Sequence, residues 1–154
     1  MTKLLIREDP LTGPEVAGLL REHLAEMKDL TPPGGVYTLD LTRLRAPDIT
    51  FWSAWEDEDL VGCGALKELD PVTGEIKSMR TANAHQRKGV GSRVLQHIIG
   101  EASRRGYDWL HLETGGEEAF ASVRGWYARH GFVSRSAFAD YPEHPRSAFM
   151  TKRL

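Results

Sequence analysis

Apolar residues recur along this chain with two periods, and the changes from one to the other mark out its elements. Lys3 to Arg7 reads as a short strand. From Pro14 to Lys28, Val16, Leu19, Leu20, Leu24 and Met27 fall on one face at helical spacing, Thr12 and Glu15 have capping-box spacing, and Pro14 suits a first turn, so a helix is predicted. Between Asp29 and Pro47 the pattern fades. Pro32-Pro33-Gly34-Gly35 breaks it, and Leu39 to Leu44 reads as a short second helix. Thr50 to Glu56 and Leu60 to Leu69 are extended runs joined by Asp57-Glu58-Asp59, the pattern of a hairpin. A turn at Asp70 to Gly74 leads into a third antiparallel strand, Glu75 to Thr81.

The period then lengthens again. Val90, Val94, Leu95, Ile98, Ile99 and Ala102 share a helical face, with Arg104 and Arg105 in the last turn and Gly106 as the stop. Asp108 to Thr114 is too short for a helix and places Leu110 and Leu112 on one side, so it reads as a strand. The intervening helix makes a right-handed crossover between parallel neighbours. A further helix over about Glu117 to His130 stops at Gly131, and Phe132 to Leu154 has room for two antiparallel strands around Asp140 to Pro145.

The turn between the third strand and the long helix carries the chemistry. Gln86-Arg87-Lys88-Gly89-Val90-Gly91 opens a helix, where about four backbone N–H groups lack intrahelical partners and the helix dipole adds partial positive charge. A phosphate suits such a place. Gly89 and Gly91 let a ligand approach the main chain, and Arg87 and Lys88 add cationic side chains. A purely structural helix entry has similar composition, so the turn alone leaves both readings open. A Walker loop is excluded because Lys88 precedes its glycine, and a dinucleotide fingerprint because Val94 stands where the third glycine belongs.

The spacing Gln86-x-x-Gly89-x-Gly91 after a strand, followed about forty residues later by Val123-Arg124-Gly125-Trp126-Tyr127-Ala128-Arg129-His130-Gly131-Phe132, resembles two motifs of the GNAT superfamily, the Gcn5-related N-acetyltransferases. The order of elements is similar to that fold over essentially the whole chain. The resemblance implies an α/β (α+β) class: a mixed, mostly antiparallel twisted sheet of about six to seven strands, flanked by about four helices, with a βαβ acetyl-coenzyme A site.

What the resemblance implies chemically can be placed residue by residue. Acetyl-coenzyme A would set its pyrophosphate on the backbone N–H groups of Arg87, Lys88, Gly89, Val90, Gly91 and Ser92, with Gln86 of the motif as a further cofactor-binding residue and no metal, and run its pantetheine arm along Met79, Arg80 and Thr81 as an added strand. A primary amine has a pKa of about 10.4 and needs a base at neutral pH. Glu75 is the candidate, with Glu113 in reserve; an ordinary strand carboxylate paired with Lys77 is the alternative for Glu75. Tyr127 occupies the tyrosine position that protonates the departing thiolate, against a role as core aromatic. The asparagine that often contacts the cofactor is replaced by Phe120.

Composition narrows the remaining choices. The chain has 154 residues, 40% of them hydrophobic, enough for one domain over residues 1–154. A formal charge of −2 gives no basic field for nucleic acid. A single cysteine, Cys63, forms no internal disulfide, and no apolar run approaches the roughly 18 residues of a membrane span. The N-terminus lacks the features of a secretion signal, so a cytoplasmic protein is expected. The acceptor stays open among small amines, amino acids, antibiotics and peptide N-termini, with Tyr37, Trp55, Arg80, Tyr141 and His144 as lining candidates. Dimerisation is also open, as is a non-catalytic acyl-coenzyme A sensor.

Overall fold

Alternation of apolar and polar residues along seven strands builds one sheet with two buried faces. The computed structural model describes residues 4–30, 41–82 and 89–154. The elements are β1 (Leu4–Glu8), α1 (Pro14–Leu30), α2 (Leu41–Leu44), β2 (Ile49–Glu56), β3 (Asp59–Asp70), β4 (Thr73–Thr81), α3 (Val90–Arg104), β5 (Trp109–Gly115), α4 (Ala121–Arg129), β6 (Val133–Arg135) and β7 (Ser147–Arg153). The strand order is β1-β2-β3-β4-β5-β7-β6. Every neighbouring pair is antiparallel except β4 with β5, which α3 joins by the expected crossover.

One face carries α3 and α4. Val90, Val94, Leu95, Ile98 and Ala102 of α3 pack with Leu66, Ile76, Leu110, Leu112, Tyr127 and Phe132 in the larger core. The other face carries α1, whose Val16, Leu19 and Leu20 pack with Leu11, Phe51, Cys63 and Ala65. Near β7 that second face is closed by the β6–β7 connection instead. There Phe138 packs edge-on against Phe149 and Tyr141, and tilted on His111. No helix among the described residues is long and apolar enough to cross a membrane.

Differences from the sequence expectation are local and have local causes. The turn between β3 and β4 shrinks to Pro71 and Val72, because Asp70 already pairs with Thr73. α3 shows no such difference: it ends at Arg104, and Gly106 at φ 86° supplies the left-handed residue that stops it, as the sequence predicts. The helix expected from Glu117 divides into a 3₁₀ turn at Glu118–Phe120 and then α4. Arg124 stabilises that entry by donating from Nη1 to the carbonyls of Gly115 at 2.7 Å and Glu117 at 2.8 Å.

A polar chain centred on the buried His111 crosses β5, β6 and β7. Arginine only donates, so Arg135 Nη1 at 3.0 Å makes His111 Nε2 an acceptor. His111 Nδ1 then carries the proton and donates to Thr151 Oγ1 at 2.9 Å, and Thr151 donates to the Leu110 carbonyl at 3.2 Å. Burial first, and the Arg135 charge second, hold the His111 pKa below its ordinary value. Its native state is therefore the neutral ring. Because the folded pKa is depressed, the stabilising contribution is complete above the unfolded value of about 6.5 and is lost as pH falls below it. The melting temperature is expected to fall between pH 7.5 and 5.5, and His111→Gln, which removes one of the groups responsible, should make that decline shallower in differential scanning calorimetry. An unchanged slope would show that His111 titrates alike in the folded and unfolded chain.

Candidate active site

The site begins with one residue too many in β4. Between the pairs Cys63↔Arg80 and Ala65↔Lys77, β3 advances by two residues and β4 by three, and Ser78 sits at φ 55°. Such a bulge bends a strand and increases its twist. It also changes the phase of the side chains. Ile76 faces α3 before the bulge and Met79 packs on that same core after it, while Arg80 turns to α1 and pairs with Glu22 at 2.9 Å.

The bent strand leaves its parallel neighbour. β4 and β5 pair only at Thr73↔Trp109, Gly74↔Leu110 and Glu75↔His111, whereas β5 keeps β7 as partner along its whole length. The two strands thus form a fork, and the space between its arms is a cleft of about 620 Å³. Its walls include Ile76 to Thr81 on β4, Glu113 and Thr114 on β5, Gly89 to Ser92 at the start of α3, His23 of α1, and Phe120, Ser122, Val123, Trp126, Tyr127 and Arg129 on the α4 side.

At the wide end the start of α3 fits an anion. Gly89 precedes the helix at φ 81°, a conformation that glycine adopts without strain, and no side chain caps it. The first helical bond runs from Arg93 N to the Gly89 carbonyl at 3.1 Å, so the N–H groups of Val90, Gly91 and Ser92 lie ahead of the hydrogen-bonded ladder. At Gly91 a Cβ would stand 3.3 Å from Thr81 Oγ1 and 3.4 Å from the Trp126 ring, which keeps the approach to those amides narrow. Trp126 also stacks edge-on with His130 at 4.8 Å, and His130 Nε2 lies 3.1 Å from Ser92 Oγ. Burial, then Arg129 and Lys152, lower the His130 pKa and favour its neutral form.

Of the residues singled out in the sequence for the cofactor, Met79, Arg80, Thr81, Gly89, Val90, Gly91 and Ser92 come together on this cleft. Gln86, Arg87 and Lys88 lie outside the described residues, as does Tyr37. Tyr127 lines the cleft beside them. It is 7% exposed, packs edge-on against Trp126 at 4.9 Å and Phe132 at 5.6 Å, and burial raises its pKa. The hydroxyl therefore keeps its proton at neutral pH, and it has no hydrogen-bond partner among the described residues. Phe120 is buried on the same wall.

The two carboxylates differ in placement. Glu75 is 2% exposed and is not part of the cleft wall. Its Oε2 accepts from the Tyr141 hydroxyl at 2.7 Å and from Lys77 Nζ at 3.3 Å, and Lys77 also donates to the Tyr141 hydroxyl at 3.0 Å. Glu113, two residues beyond the last β4–β5 pair, is exposed and lines the cleft. Tyr141 thus belongs to the cluster behind the wall. Trp55 lies away from the cleft, donating to Ser53 Oγ at 2.8 Å under Arg7, and His144 is exposed in the β6–β7 connection. Cys63 is buried, its thiol donates to the Ser78 carbonyl at 3.3 Å, and burial pushes its pKa up to about 12, which leaves it protonated and unreactive at neutral pH.

Sequence reasoning missed His23, Lys77, Ser122 and Arg129 as wall residues. A signal existed for some of them. Ser122, Trp126 and Arg129 are spaced by four and three residues, one stripe of α4, and His23 continues the stripe of Val16, Leu19 and Leu20 on α1.

The pattern of the Acetyltransferase (GNAT) family matches residues 17–132. The chain is 55% identical over 149 residues, 97% of its length and 99% of the relative's, to the uncharacterized N-acetyltransferase YsnE of Bacillus subtilis. A solved structure described as an acyl-CoA N-acyltransferase of Klebsiella pneumoniae superimposes with a TM-score of 0.82 at 28% identity, over 98% of this chain and 97% of that one. A GNAT family acetyltransferase from Elizabethkingia anophelis, solved with acetyl-CoA bound, superimposes with a TM-score of 0.71 at 22% identity over 98% of both chains. Because a side chain at position 91 would crowd Thr81 and Trp126, Gly91→Val is expected to weaken acetyl-CoA binding by at least about tenfold in calorimetry, equivalent to about 1.4 kcal/mol. The circular dichroism spectrum should stay that of the wild type; unchanged affinity would place the phosphates elsewhere.

Proposed function

The chain belongs to the GNAT acetyltransferase family, and we propose that it transfers the acetyl group of acetyl-coenzyme A to a primary amine, with Glu113 receiving the amine's proton and Tyr127 protonating the departing sulfur. It is an acyltransferase, and acetyl-coenzyme A is its acetyl donor. The observation that carries the assignment of roles is that one fork gathers an uncapped helix start, an open strand edge, a protonated tyrosine and an exposed carboxylate on the walls of a single cleft.

The division of labour follows from what each group offers. The amides of Val90, Gly91 and Ser92 hold the pyrophosphate, and the β4 edge from Met79 to Thr81, freed from β5 by the fork, receives the extended pantetheine arm. Acetyl-coenzyme A supplies an activated acyl carbon attached to sulfur. The acceptor arrives as an ammonium ion, since a primary amine has a pKa of about 10.4, and gives one proton to Glu113 or to a water that Glu113 orients. As the nitrogen bonds to the acyl carbon and the carbon–sulfur bond breaks, the sulfur takes the Tyr127 proton, and the second proton lost by nitrogen restores the tyrosine through solvent. Burial keeps Tyr127 protonated until that moment.

Glu75 has a different task in this reading. It is enclosed by Tyr141 and Lys77 and lies behind the wall, so it holds those two groups in place while Glu113 meets the acceptor.

Rates of thiol release distinguish these roles. Tyr127→Phe and Glu113→Gln are each expected to lower kcat by about a hundredfold or more with the KM for acetyl-CoA within about twofold, and Glu113→Gln should also remove the acid limb of the pH–rate profile. If Glu75→Gln removes that limb and Glu113→Gln leaves it, the base is Glu75. Tight acetyl-CoA binding with no turnover on any amine would leave a sensor in place of an enzyme.

A further inference from the structure

The register of the fork sets two opposite charges face to face. β4 and β5 end their pairing at Glu75 and His111, so the next residues on that face of each strand are Lys77 and Glu113. Both line the cleft, one on either arm. Paired strands lie about 4.8 Å apart, and beyond the last pair the arms diverge. Among the described residues Lys77 forms its ion pair with Glu75, and Glu113 forms none. The face on which they stand is the α1 side, opposite the helix whose start holds the phosphates.

An ammonium and a carboxylate held apart in this way complement a molecule that carries the same two groups on one carbon. Resting on the acetyltransferase reading above, we infer that the acceptor is a free α-amino acid, whose ammonium group meets Glu113 and whose carboxylate meets Lys77.

Lys77 is prepared for that task. Its Nζ has three N–H donors. Glu75 Oε2 at 3.3 Å and the Tyr141 hydroxyl at 3.0 Å take two, while the side chain stays 28% exposed at the cleft, so the third serves the acceptor. Glu75, with only 3% of its side chain exposed, prevents the ammonium from swinging into solvent. Tyr141 is held in turn by Phe138 and Phe149. The charge of Glu113 reaches the same cluster. Burial raises the Tyr141 pKa first, the hydrogen bond to Glu75 next, then the charges of Glu75 and Glu113, with Arg43 opposing. An amine without an anionic group meets half of this pair and leaves the third Lys77 donor to water.

The experiment uses the wild-type chain, acetyl-CoA and the common L-amino acids, each beside its α-amide and its decarboxylated amine, with thiol release as the readout. At least one free amino acid should exceed both of its counterparts by about tenfold or more in kcat/KM, the scale of one charge-assisted hydrogen bond. Lys77→Met should raise the KM for that amino acid by about tenfold, keep the KM for acetyl-CoA within about twofold, and Lys77→Arg should recover most of the loss. Amides or carboxyl-free amines that match or exceed every free acid would overturn the inference, as would a Lys77→Met loss equal for acid and amide. Acetyl-CoA binding in calorimetry with no thiol release on any acceptor would instead overturn acetyl transfer itself, and this inference with it.

Discussion

The single parallel pairing of the sheet lasts three residue pairs and then fails, and the rest of the site depends on that failure. The cause is covalent and local. An extra residue at Ser78 cannot be accommodated by β3 without a bulge, and a bulge bends and twists its strand away from the neighbour on the other side. One inserted residue therefore opens a cleft, frees a strand edge for an extended ligand and reverses which side chains of β4 look at which helix. Met79 stays in the core while Arg80 turns to α1 because of the same half-step.

The fork also sorts the polar groups by depth. Where β4 and β5 are still paired, Glu75 and His111 lie buried and must be satisfied within the protein, Glu75 by Tyr141 and Lys77, His111 by Arg135 and Thr151. One step further the strands have parted, and Glu113 reaches the cleft. Residues of identical type, on the same face of adjoining strands, acquire different duties from a displacement of two positions along the chain.

Much of this was legible in the sequence because it is written in short-range periodicity. The stripe from Val90 to Ala102, the alternation of Leu110 and Leu112, and the stop at Gly106 are each local statements, and the elements stand where those patterns predict them. The uncapped start of α3 was legible for a similar reason, since Gly89 and Gly91 carry their meaning in their own missing Cβ atoms. The fork was not. Serine has no special liking for positive φ, and nothing in Ile76-Lys77-Ser78-Met79 announces a bulge. Without the fork, the relative depth of Glu75 and Glu113 could not be read, because it depends on where two strands separated by a helix stop pairing. The Tyr141–Glu75 bond joins residues 66 apart, beyond the reach of any periodic signal.

The sheet is joined across its middle by fewer residue pairs than anywhere among its longer strands: three join β4 to β5, while seven join β5 to β7. Mechanically it is two panels, β1 to β4 and β5 to β7, sharing a short seam and the α3 core. On the proposed placement, a donor molecule lying in the fork would bridge the panels as a removable strand, so its binding energy would also be cohesion between them. The folded chain would then be most rigid when charged with its substrate and loosest just after release, and its durability would follow the supply of the acetyl donor.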